Sequence, residues 1–267
     1  MLQIETYNKA IGQIIRTILN KGPELISINV GSKDGFIIAQ ESKEKIFTSL
    51  SLTHQLPYSL TSKEFISASN SAILDIASKL YKEMLKQESY YSIAIGDIGA
   101  LSVCGEHVAI IGLIQEHSSN TFNFLNIAGQ IQTLQRCIER HKQKNKKIKK
   151  GILKSIKESI PVISALALIS KENGLPIKTR PKIDLDLFCF KINWLMNTSA
   201  KIVGNIKYLI ISGISGHIII NNSDEERMTV LVIPPLSMDE YFSKTDAIAS
   251  YFKAIANNFD EFLSSLT

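Results

Sequence analysis

Residues 26 to 40 read ISINVGSKDGFIIAQ: an apolar run, a tight cluster of Gly, Ser, Lys and Asp, and a second apolar run. A strand entering a glycine loop with a lysine can cradle a phosphate. Such a loop must then open a helix, so that successive N–H groups and the helix dipole meet the anion. Here the turn is followed at once by apolar FIIAQ, and no GxxxxGK[ST] pattern accompanies it. The stretch is therefore expected to be a β-hairpin, with Asp34 and Gly35 supplying the positive φ that tight turns use.

The neighbouring segments extend that unit. Before the hairpin, Ile11, Ile14, Ile15, Ile18 and Leu19 recur at helical spacing, and Gly22-Pro23 stops the run. After a loop over 43–62, Phe65, Ala68, Ala72, Ile73, Ile76, Leu80 and Met84 form a second helical stripe. YYSIAIGDIGALSVCGEHVAIIGLI then holds apolar runs parted by Gly96-Asp97-Ile98-Gly99 and Gly105-Glu106-His107, the pattern of an antiparallel meander. A helix carrying Ile127, Ile131, Leu134 and Ile138 closes the unit.

The order then starts again. Ile152, Ile156 and Ile160 line a helix, and ISALALI-SKENG stands where ISINV-GSKDG stood. LDLFCFKINWLMNTSAKIV supplies a helix, IKYLIISGISGHIII and MTVLVIPP supply strands, and a last helix carries Ile248, Phe252, Ile255, Phe259 and Phe262. Gly213-Ile214-Ser215-Gly216 repeats the punctuation of Gly96 to Gly99, and Pro234-Pro235 cuts the closing strand short. The expected organisation is a tandem repeat, with one domain over 1–145 and a second over 146–267.

Composition limits what such a chain can be. Its 267 residues are 45% hydrophobic and 21% charged, which describes a soluble, ordered protein. No apolar run reaches the roughly 18–20 residues that span a bilayer, and the amphipathic N-terminus does not read as an export signal. The net charge of +5 is local: residues 142–157 hold eight lysines and no acid, leaving about −3 elsewhere. That stretch lacks interleaved aromatics and arginines, so a solvated connector is expected and nucleic acid is not. Cys104, Cys137 and Cys189 are odd in number and far apart, as free thiols in the cytoplasm would be.

Chemistry has little support in the sequence. Cys104-x-x-His107 and Cys137-x-x-x-His141 each offer two ligands where structural zinc needs about four. His54, His117 and His217 have no Ser, Cys or carboxylate at a telling spacing, and Asp239-Glu240 and Asp260-Glu261 are adjacent and so diverge on a helix. No catalytic residue, cofactor or metal is expected.

Helix, hairpin, helix, meander, helix in about 120 residues resembles the Roadblock family (the Roadblock dynein light chain group), a relative of longin and profilin folds. ISINVGSKDGFIIA, FISASNSAILDIASKLYKEM and SIAIGDIGALSVCGEHVAIIGLI carry the resemblance, which covers nearly the whole chain, twice. It implies an α/β fold of two tandem Roadblock-like domains, each with a five-stranded antiparallel sheet, joined as an intramolecular pseudo-dimer. Family members are usually dimers whose third strands pair edge to edge and whose second helices lie side by side, and several are platforms for Ras-like small GTPases. Carried onto this chain, the pairing strands are YSIAI (91–95) and YLIIS (208–212), with Tyr91, Ile93, Ile95, Tyr208 and Ile210 at the seam. The binding face lies on the helices over 63–87 and 185–203, through Lys63, Asn70, Lys79, Lys191 and Asn197. The implied function is a non-enzymatic scaffold or regulator of a small GTPase or another protein, with further oligomerisation left open. The alternative is a pair of small-molecule sensor domains of GAF or PAS type, which would need a cavity inside each sheet-and-helix sandwich.

Overall fold

The structure, a computed structural model, describes residues 2–21, 25–43, 62–115, 156–158, 160–161, 163–180, 186–222, 225–235 and 252. The helices expected at 127–138 and 248–262, the loop at 44–61, most of the lysine stretch and the boundary near residue 145 lie outside them, apart from Phe252.

Helix α1 (Leu2–Lys21) leads into β1 (Leu25–Ser32) and β2 (Ile37–Ser42), and α2 (Lys63–Leu85) leads into β3 (Ser89–Ile95), β4 (Gly99–Cys104) and β5 (Val108–Ile114). The second pass gives β6 (Ala165–Ser170), β7 (Pro176–Arg180), α3 (Asp186–Val203), β8 (Tyr208–Gly213), β9 (Gly216–Asn222) and β10 (Arg227–Ile233). Pro234 follows β10 directly, as expected of a residue that cannot extend a ladder.

All ten strands form one sheet in the order β2-β1-β5-β4-β3-β8-β9-β10-β6-β7. In each half's own numbering this runs second, first, fifth, fourth, third, then third, fourth, fifth, first, second. The sequence is the same from either end, as a two-fold axis through the middle requires. The seam is the antiparallel pair β3–β8, where Ile93 faces Ile210, Ala94 faces Leu209, Ile95 faces Tyr208 and Tyr91 faces Ser212. Two strands that would otherwise present open backbone edges satisfy each other.

Alternation of side chains divides the interior into two layers. One face buries Ile28, Val30, Tyr91, Ile93, Ile95, Leu101, Ile110, Ile210, Ile219 and Leu231 with Ile11, Ile15 and Leu19 of α1 and with Ile156, Ile160 and Phe252. Ile14, expected on the same helical stripe, is exposed at its margin. The other face buries Ala94, Ala100, Ile111, Leu113, Leu209, Ile211, Ile218 and Val230 beneath α2 and α3. Both layers contain residues from each half, so neither half has a core closed to the other.

The stripe that α2 buries is rotated from the expected one. Ile66, Ser67, Asn70, Ile73, Leu74, Ala77, Leu80 and Tyr81 face inward, and Ala68 is exposed. The cause is the close approach of the opening hairpin. A Cβ added to Gly31 would fall 1.9 Å from the Ser67 hydroxyl, and one on Gly35, whose φ is +88°, would fall 2.8 Å from the Ala68 Cα. Ser67 and Ala68 are small enough to admit the hairpin, and Ser71 donates to the Ser32 carbonyl at 2.8 Å.

Candidate protein-binding face

The hairpin turns use their own backbone donors. Ser32 N–H reaches the Phe36 carbonyl at 2.7 Å, Lys33 N–H the His107 carbonyl at 2.9 Å and Gly35 N–H the Ser32 carbonyl at 3.0 Å, while Phe36 N–H reaches the Ser32 hydroxyl at 3.1 Å. In the second half, Ser170 N–H pairs with Leu175, Lys171 N–H with Glu226 and Gly174 N–H with Ser170, and Leu175 N–H reaches Asn173 Oδ1. With these N–H groups committed, neither turn offers the donor cradle that a phosphate requires.

A broader surface is built by α2 and α3, which lie side by side on one face of the sheet. Ser62 caps α2, its hydroxyl accepting from Phe65 N–H at 3.2 Å. The same hydroxyl meets Glu64 at 3.0 Å. Hydrogen bonds from the helix backbone and then from Ser62 hold the Glu64 carboxyl below its ordinary pKa. The helices are joined by Lys191 of α3, whose ammonium donates to both carboxylate oxygens of Glu83 of α2, at 2.6 Å to Oε1. That pair is partly shielded, with side-chain exposures of 17% for Lys191 and 39% for Glu83.

The expected face residues therefore separate. Lys63, Lys79 and Asn197 are exposed, with Lys79 held 2.6 Å from Asp75 one turn back. Lys191 ties the two helices together and is only partly accessible. Asn70 was expected to point outward and does not: it is 1% exposed, because the rotation of α2 turns it inward with Ser67. Tyr91, Ile93, Ile95, Tyr208 and Ile210 sit in the layer shared with α1, on the side of the sheet away from α2 and α3.

Phe190, which the sequence reading did not select, is 68% exposed on α3, and Trp194 one turn later is partly buried against the core. Its only sequence signal is an aromatic outside the Cys189, Ile192, Leu195, Met196 stripe that α3 buries. Exposed Leu175 lies beside Gly174, where an added Cβ would come 3.4 Å from Asn193 Nδ2 and 3.7 Å from the Cys189 carbonyl oxygen. The hairpin tip and the start of α3 thus place apolar side chains around a polar helix face.

Beneath that face lies an apolar layer. Ile66, Ile73, Leu80, Ile192, Leu195 and Met196 pack on Ile111, Leu113, Leu209 and Ile211. Among the described residues no group of three or more His, Cys, Asp or Glu could hold a metal ion, and no helix is long and apolar enough to cross a membrane. Neither Cys104 nor Cys189 is in a disulfide, and the second is buried.

A scan against protein-family models gives no match, and a search of curated proteins gives none either. Solved structures similar to the chain include MglB in a tetrameric arrangement, at 13% identity over 42% of this chain and 74% of that one, with a TM-score of 0.32. Myxococcus xanthus MglB aligns at 10% identity over 42% and 74%, with a TM-score of 0.33. A Roadblock/LC7 domain from Streptomyces avermitilis aligns at 10% identity over 39% and 78%, with a TM-score of 0.32.

Proposed function

We propose that the chain is a non-enzymatic scaffold that binds a protein partner, a Ras-like small GTPase in the first instance, on the outer face of α2 and α3. Support comes chiefly from one observation: the seam satisfies the two inner sheet edges and leaves the helix pair as a broad, ion-paired face with an exposed aromatic. Aromatic side chains are frequent anchors of protein interfaces. The resemblance of the helix–hairpin–helix–meander order to Roadblock platforms points to the same face.

The test is a binding titration of a candidate small GTPase, loaded with GDP or a GTP analogue, against two variant sets whose folds are checked by thermal melting. Lys79→Glu with Phe190→Ala should weaken binding by about tenfold or more, since anchor truncations cost about 2 kcal/mol. Lys33→Ala with Lys171→Ala, in the hairpin turns, should leave it unchanged. Loss of binding in the turn set alone would sink the platform model.

A further inference from the structure

We propose that the two halves are held by reciprocal latches, in which the central turn of each half grips the end of the other half's platform helix. A change at one half's turn is thereby transmitted to the helix of the other half. The inference concerns the fold itself and does not depend on the identity of a partner.

The first latch joins the β3–β4 turn to the end of α3. The final carbonyls of a helix have no partner within it. In α3 the Val203 carbonyl accepts from Asp97 N–H at 2.7 Å and from Ile98 N–H at 3.2 Å, both on the other half. Asp97 returns the contact: its Oδ2 accepts from Asn205 N–H at 2.9 Å. Lys207 N–H then donates to the Ile95 carbonyl at 2.7 Å, continuing the connection into the seam. The fit leaves no room for side chains at the crossing. A Cβ on Gly96 would lie 2.6 Å from the Val203 carbonyl oxygen, and one on Gly204 would lie 2.3 Å from Asp97 Oδ2.

The second latch occupies the equivalent place with different chemistry. Tyr81, fully buried near the end of α2, donates its hydroxyl to the Gly216 carbonyl at 3.0 Å in the β8–β9 turn. A Cβ on Gly213 would meet the Tyr81 ring and the Glu88 carbonyl, each at 2.7 Å. The glycines that punctuate both meanders, Gly96 and Gly213, therefore do more than turn the chain: each clears a berth for the opposite half. One latch is a carboxylate with backbone groups and the other a phenol, so each can be altered alone.

Hydrogen exchange on the full chain tests the idea. Asp97→Ala should speed exchange of the Asn205 amide by about tenfold or more, the scale of one hydrogen bond to a charged group. Asp97→Asn, which keeps a neutral acceptor oxygen, should speed it by clearly less than Asp97→Ala does. Tyr81→Phe, which removes one oxygen, should speed exchange around residues 213–217 on the opposite half. Acceleration confined to residues 96–99 in Asp97→Ala, or an Asn variant as fast as the Ala variant, would overturn the first latch. If Asp97→Ala does not fold, Tyr81→Phe decides, and unchanged exchange at 213–217 overturns the proposal.

Discussion

Truncating Ile93 and Ile210 to alanine, singly and together, measures whether the two halves share one core. Both side chains are fully buried, face each other across β3–β8 and lie in the same apolar layer. Each single truncation should cost about 2–5 kcal/mol, the range for a fully buried Ile reduced to Ala. The double variant removes their mutual contact only once, whereas the two singles count it twice. Its loss should therefore differ from the sum by at least about 0.5 kcal/mol. Val30 supplies the control: it is equally buried in that layer, but β1 stands four strands from β8. At ~4.8 Å per strand the separation is about 19 Å, so Val30→Ala with Ile210→Ala should add within about 0.3–0.5 kcal/mol. Urea denaturation followed by circular dichroism gives all the values, and every variant should unfold in a single transition. Two transitions, with Ile93→Ala moving only one of them, or additivity of the seam pair as good as that of the control, would refute a core shared across the seam.

Two further outcomes follow from local geometry. Lys86 ends α2 at φ 60°, the position where α3 has Gly204 at φ 78°. Lys86→Gly should raise stability by about 0.5–1 kcal/mol by relieving the left-handed strain, while Gly204→Ala should lower it by more, since its Cβ also meets Asp97; thermal melts compare the two. The Lys82 ammonium, 2.6 Å away, holds the Glu88 carboxyl below its ordinary pKa, with Ser78 contributing less. A depressed carboxylate stabilises the fold above its unfolded pKa and loses that contribution as pH falls through the folded value. In an NMR titration the Glu88 midpoint should therefore rise in Lys82→Met, and an unchanged midpoint would remove Lys82 as the cause.

Alternating apolar runs and their turns made the sheet legible in the sequence. Each strand announces itself locally, and the apolar character of YSIAI and YLIIS marks edges that need a partner. The faces of α2 were harder to read, because apolar periodicity assigns Ser67 and Asn70 to the outside. Both turn inward, Ser67 where the glycine hairpin comes too close for a larger residue, and periodicity carries no information about a neighbour's backbone. Lys191 was misplaced for a similar reason: its partner Glu83 is 108 residues away in the chain. The berths at Gly96 and Gly213 are equally nonlocal, and a turn explained both glycines well enough to hide the second role.

The seam between β3 and β8 lies within one polypeptide, and this alters what the pairing responds to. Two separate subunits joined by such an edge would come apart on dilution, and any substitution would be made in both at once. A tether instead makes the pairing intramolecular, so dilution does not weaken it. It also frees the two sides to differ: Phe190 can stand exposed on α3 while α2 carries the Asp75–Lys79 pair on its outer surface. The proposed platform then has a left and a right, and could hold a partner in one orientation where a symmetric pair would offer two.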